Sequence, residues 1–166
     1  MRAAKHTEGR WRMHSTWRSG AAVVGRVLMA SKVAVVDGAN IAYAELSAEG
    51  QPKVSNLLAV RHKLRELGYE PIIIVDATLR HEIDDPDQLE ALIDDQVVRQ
   101  APASTDADYF VLETAHEHDG ALVVSNDTFQ EYRDAYPALA ERRVPLMIIW
   151  GEVQLYEIPE APGDDE

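Results

Sequence analysis

Val33-Ala34-Val35-Val36-Asp37-Gly38-Ala39-Asn40 is a short apolar run that stops on a carboxylate, and Ala121-Leu122-Val123-Val124-Ser125-Asn126-Asp127-Thr128 repeats the pattern much later in the chain. Near-continuous apolar strands of this kind belong to a parallel sheet buried on both faces. In such a sheet the crevice outside the carboxyl ends of the strands is where ligands sit. Two neighbouring strands that end this way would therefore bring two acids into one hollow. Carboxylates that close repel unless a cation lies between them. A divalent ion held by aspartates in turn points to phosphate chemistry.

The segments around these two runs alternate. Ala42 to Lys53 is a polar connection containing Gly50 and Pro52, and Val54 to Leu67 sets Val54, Leu57, Leu58, Arg61, Leu64 and Leu67 at helical spacing before Gly68. Pro71 to Asp76 reads as a second buried strand, Pro86 to about Asp95 as a helix opened by proline, and Val97 to Arg99 as a short edge strand. Asp106 to His118 forms a helix stopped by Gly120, followed by the Ala121–Ser125 strand and a broken helix from Thr128 to Arg142. Pro145 to Trp150 is a strand, and Val153 to Ile158 a last extended piece. This order predicts an α/β fold of three layers, α/β/α, around a mostly parallel central sheet.

Composition narrows the function classes. At 166 residues and 46% apolar, the chain suits one domain with a substantial core. It has no cysteine, which removes disulfides, thiolate zinc sites and cysteine nucleophiles, so a metal must be held by oxygen or imidazole. No apolar run is long enough to span a membrane, and the expected setting is soluble and cytoplasmic. The formal charge of −13 is unevenly spread, with +5 on residues 1–31 and −18 on the rest. Residues 1–31 therefore read as a basic, disordered arm, with Met29 as an alternative start. Residues 32–158 form the folded domain and 159–166 an acidic tail.

Each candidate acid also has a purely structural explanation. Asp37-Gly38 is a common turn dipeptide, and Asn126-Asp127 could cap a following helix. Thr105-x-x-Asp108 and Thr128-x-x-Glu131 both fit a capping box. The helix that feeds the Ala121 strand is expected to begin at the opposite end of the sheet, unless the Gln100–Thr105 connection folds over the strand ends. His116 and His118, two apart on a helix, point to different faces and suit its carboxyl end better than a metal.

The run VAVVDGANIA, the helix DADYFVLETAHEHDG and the stretch ALVVSNDTFQEY together resemble, in order and spacing, the regnase-type NYN ribonucleases of the PIN-like nuclease superfamily, from roughly Lys32 to Ile158. That resemblance implies a PIN-like sheet with acids clustered at the strand ends, Mg²⁺ or Mn²⁺ as cofactor and single-stranded RNA as substrate. It makes Asp37, Asn40, Asp108 and Asp127 the counterparts of the family's active-site residues. Asp37, Asp108 and Asp127 would hold the metal, with Asp106 and Glu131 as further candidates. The chain also departs from the pattern, because Ala107 occupies the first of two adjacent acid positions and Asp106 lies one residue earlier. The family's zinc finger has no counterpart without cysteines. The implied reaction is metal-assisted phosphodiester hydrolysis to 5′-phosphate and 3′-hydroxyl ends, with Asn40 orienting a carboxylate or the substrate.

An acidic core offers few cations for RNA phosphates. Arg80 follows a strand end and is the favoured substrate-binding cation, whereas Arg61, Lys63 and Arg65 read as an ordinary solvated helix face. The basic arm could grip phosphates without reading sequence. Trp150, ending an apolar strand, reads as core or rim. Partners expected are RNA and no membrane, with a homodimer left open. Two other readings stay in play. One is a catalytically silent NYN-like domain that binds RNA or protein. The other is a phosphatase of the haloacid dehalogenase type, disfavoured because Ala39 stands where its second Asp belongs.

Overall fold

A computed structural model describes residues 32–158, so the expected basic arm and acidic tail lie outside the described residues. Five strands form one sheet: β1 Lys32–Asp37, β2 Tyr69–Val75, β3 Val98–Gln100, β4 Leu122–Val124 and β5 Arg143–Val144. Their order is β3-β2-β1-β4-β5, and every neighbouring pair is parallel. The helices are α1 Gly38–Ala42, α2 Val54–Glu66, α3 Pro86–Asp94, α4 Ala107–His116 and α5 Pro137–Glu141.

The continuous apolar strands follow from burial on both faces. Ala34 and Val36 of β1, Ile73 and Val75 of β2, and Leu122 and Val124 of β4 pack into one core with Val54, Leu57, Val60 and Leu64 of α2 and Leu89 of α3. The alternate residues, Val35, Ile72, Ile74 and Val123, pack on the other face against Val111, Leu112 and Ala115 of α4 and against Phe129. These two cores make the three layers. Local signals set the helix ends. Asp85 accepts the Gln88 N–H at 2.9 Å ahead of Pro86 at the start of α3. Gly68 holds φ 85° just past α2. No described helix is long and apolar enough to cross a membrane.

The structure corrects several expectations. Pro145 to Trp150 is not a strand of the parallel sheet. That place is taken by Arg143–Val144, and β6 Leu146–Ile149 turns away to pair antiparallel with β7 Glu152–Leu155. Pro145 has no N–H to continue a ladder, and β6 is buried only at alternate residues, as suits a strand covered on one side. Trp150 is neither core nor rim, being 93% exposed at the hairpin turn. The broken helix after Thr128 reduces to a 3₁₀ turn, Gln130–Tyr132, and the short α5.

Asp37-Gly38 is not a simple turn either, since Gly38 opens α1. A Cβ there would stand 2.6 Å from the Ile74 carbonyl oxygen and 2.7 Å from Val75 Cγ1. The glycine is needed for close approach of α1 to β2, and its φ is not left-handed. The carboxyl end of α1 is closed by buried Asn56, whose Nδ2 donates to the carbonyls of Ala42 at 2.9 Å and Glu45 at 2.8 Å. Gly38→Ala is expected to cost about 1–3 kcal/mol of stability through overpacking, measured as a lowered denaturant midpoint. A midpoint equal to the parent's would show that α1 does not press on β2.

Candidate active site

The site is set by sheet register and completed by one hydroxyl. Val36 of β1 lies opposite Val124 of β4, so Asp37 and Ser125 are the next residues out at the carboxyl ends of adjacent strands. Both are buried, with Asp37 6% exposed and Ser125 fully covered. The Ser125 hydroxyl donates to Asp37 Oδ2 at 2.7 Å and accepts the Asp127 N–H at 3.0 Å. The other Asp37 oxygen accepts the Asn40 N–H at 3.2 Å and so caps α1. One carboxylate thus joins two strands and a helix start. Ser125 was missed from sequence because a serine in SND reads as a turn or cap residue; its signal is the position directly after an apolar strand that pairs with β1.

Asn40 does not reach a carboxylate with its side chain. Its Oδ1 accepts the Asn126 N–H at 2.9 Å, and Asn126 Oδ1 accepts the Leu146 N–H at 2.8 Å. These two amides hold the loop after β4 against α1 on one side and against β6 on the other. Asp127 accepts the Phe129 N–H at 2.7 Å through Oδ1. Phe129 holds φ 48°, an uncommon conformation for a bulky residue, and its buried ring anchors the loop in the core. No side chain caps the 3₁₀ turn that follows, so the Thr128–Glu131 box does not form.

Asp108 does arrive at the same end of the sheet. Of the two placements the sequence left open, the second holds: β3 runs parallel to β2 and finishes at the carboxyl side, and the Gln100–Thr105 connection leads to α4, which starts there and runs back to feed β4. Asp108, Asp127 and Glu131 line one open depression of about 350 Å³, together with Thr128, Phe129, Gln130 and Tyr132. Asp37 does not line it. The Thr105–Asp108 box is absent as well, because Asp106 is the N-cap, its Oδ1 accepting the Asp108 N–H at 3.0 Å. Asp106 Oδ2 accepts the Tyr132 hydroxyl at 2.5 Å. Both oxygens of Asp106 are therefore engaged locally, as both oxygens of Asp37 are by Ser125 and Asn40.

Asp76, just past β2, is a carboxylate the sequence reading passed over as a site residue, although Ile72-Ile73-Ile74-Val75-Asp76 has the same run-then-acid form. Its Oδ1 accepts from the N–H groups of Thr78 at 2.7 Å and Leu79 at 2.9 Å. Arg80 sits on the 3₁₀ turn that follows, bonded to Gln100 and 3.4 Å from Glu90, so much of its guanidinium is occupied.

The electrostatics reflect this crowding. Burial pushes the Asp37 carboxyl up, and the charges of Asp127 and Asp76 add to the rise, against the bonds from Ser125 and Asn40. Burial and then the charges of Asp37, Asp127, Asp106 and Glu131 push Asp108 up to about 6. A donor set of hard oxygens under mutual repulsion fits Mg²⁺ or Mn²⁺. No three Asp, Glu or His side chains among the described residues are grouped to enclose an ion by themselves. An ion here would retain several waters, as Mg²⁺ does.

For an acid raised in the folded state, the native form binds the extra proton. The stability this gives is complete below the ordinary value of 3.8 and is lost as pH rises through about 6. Asp108→Asn is therefore expected to raise the melting temperature of the metal-free protein at pH 7 but not at pH 4. Millimolar Mg²⁺ should stabilise the parent at pH 7 more than at pH 4. Melting curves that shift equally at the two pH values would contradict the crowding.

Comparison with known proteins adds an independent line. The chain resembles nuclear protein-only RNase P 2 of Arabidopsis thaliana, with a TM-score of 0.59 and 23% identity over 78% of this chain. It spans 30% of that protein's length, and the likeness is one of fold. No curated protein sequence matches. The model of the Zc3h12a-like ribonuclease NYN domain matches residues 30–165. The chain belongs to the Zc3h12a-like ribonuclease NYN domain family.

Proposed function

We propose that this chain is a metal-dependent endoribonuclease that hydrolyses single-stranded RNA to 5′-phosphate and 3′-hydroxyl ends. The observation that carries the reading is the buried Asp37 carboxylate, tied through the Ser125 hydroxyl to the backbone of Asp127 and raised first by its burial and then by the neighbouring charges. Membership of a ribonuclease domain family supports the reaction class. Asp37, Asp108 and Asp127 would hold Mg²⁺ or Mn²⁺. A bound divalent ion would neutralise the scissile phosphate and acidify the attacking water.

The chain's own residues do the positioning. Ser125 fixes the Asp37 carboxylate, and Asn40 holds the Asp127 loop in register through the Asn126 N–H. Glu131, exposed on the wall of the depression, orients a water, and Asp106 locks the first turn of α4. Arg80 steers the strand with the part of its guanidinium left free by Glu90 and Gln100. Water as the nucleophile accords with a site built of carboxylates, which suit a hydrated divalent ion.

A second reading, a silent NYN-like domain that binds RNA or protein, draws support from Ala107 and the two engaged oxygens of Asp106. The two readings separate on activity. Protein free of contaminating nuclease is expected to cut unstructured RNA with Mg²⁺ or Mn²⁺ and to stop with chelator. Asp37→Asn and Asp127→Asn should each reduce the rate by about a hundredfold or more while circular dichroism stays that of the parent. Ser125→Ala, which removes a support and no ligand, should cost about 10- to 100-fold. A folded parent that cleaves no RNA with either metal would leave the silent domain as the answer.

A further inference from the structure

Trp150 occupies a place that disfavours it twice over. Its side chain is 93% exposed, and its φ of 51° is followed by 80° at Gly151. Consecutive positive φ values mark the two-residue turn of a tight hairpin, where Asn-Gly is the favoured pair and a bulky residue is strained. Neither the exposure nor the strain contributes to folding. Strained positions that persist cluster where a ligand is handled.

The hairpin carrying this ring is tied at its base to the loop after β4 and at its tip to the connection after α1. At its base Asn126 Oδ1 accepts the Leu146 N–H, and at its tip Glu45 Oε1 accepts the Trp150 N–H at 2.6 Å. Glu45 is itself held, its Oε2 2.6 Å from Lys53 Nζ and its carbonyl on Asn56. Strand rise puts the tip about 13 Å from Leu146. The connection that bears Glu45 also bears Tyr43 and Leu46, 48% and 47% exposed, with the Tyr43 hydroxyl bonded to Glu82. Exposed apolar side chains thus lie on the same connection that holds the Trp150 turn.

We infer that Trp150 stacks on a base of the single-stranded RNA at a distance from the cleaved bond, an inference that rests on the ribonuclease reading. Near the crevice three of the described cations are partly engaged: Arg80 by Gln100 and Glu90, Lys53 by Glu45, and Arg143 by the Ser125 carbonyl at 3.1 Å. Stacking needs no cation and tolerates any base. Beside Trp150, Met147 and Ile149 of β6 are 39% and 49% exposed, and a second copy of this chain is the competing occupant that the test separates.

The test uses the full chain with Trp11→Phe and Trp17→Phe, which leaves Trp150 as the single tryptophan, and with Asp127→Asn to prevent cleavage. Oligouridylate added in Mg²⁺ is expected to quench its emission. Trp150→Asn suits the turn and so should fold at least as well. It is expected to weaken binding about tenfold, as measured by anisotropy of a labelled oligonucleotide, and Trp150→Phe should keep most of the affinity. In the chain with Asp127 intact, Trp150→Asn should raise KM for long RNA by the same factor, with kcat and cleavage of a dinucleotide unchanged. RNA cleaved normally with Trp150 emission unmoved would overturn the stacking and leave the ribonuclease standing. RNA neither bound nor cleaved would remove both. Emission that follows protein concentration, with a dimer in sedimentation that Trp150→Asn abolishes, would assign the ring to a second copy and overturn the proposal.

Discussion

The hydrogen bond from Ser125 to the buried Asp37 carboxylate is the contact around which the crevice is organised. A carboxylate removed from water costs free energy unless its oxygens are satisfied, and here each oxygen has a donor from a different element. The cap on α1 sets the direction in which the chain leaves β1. The bond to Ser125 fixes the end of β4 beside it, and the same hydroxyl takes the Asp127 N–H. Geometry is therefore settled while charge is not. Burial first, and then the charge of the neighbouring acids, raises Asp37 and Asp108 together, and a divalent ion would relieve the repulsive part.

Much of this was legible in the sequence because parallel strands must be apolar on both sides. Val33 to Val36 and Ala121 to Val124 could scarcely be anything but central strands, and acids just beyond them had to share an end of the sheet. The helices α2, α3 and α4 announced themselves by spacing and by Pro86, Gly68 and Gly120. Less legible were the features that depend on a distant partner. Ser125 reads as a cap until β1 is beside it, Gly38 as a turn until β2 is, and Asn56 as a solvated residue until three carbonyls of α1 and its loop surround it. Pro145 carried the signal that the last strand leaves the sheet. The exposure of Trp150 was hidden because WG in an apolar stretch gives no hint that both residues adopt left-handed φ.

The departure at Ala107 gains a physical account from the same contacts. Asp106 spends one oxygen on the helix cap and the other on the Tyr132 hydroxyl, so it stiffens the start of α4 and adds its charge beside Asp108. Asp108 is the acid of this helix whose charge meets those of Asp37 and Asp127.

Anomalous diffraction from crystals soaked in Mn²⁺ tests the central claim most directly. The account expects one or two peaks at the carboxyl ends of β1 and β4, with oxygens of Asp37, Asp108 or Asp127 at about 2.0–2.3 Å or one water away. Density for all three side chains with no peak between them at millimolar Mn²⁺, or a peak only elsewhere on the molecule, would contradict it.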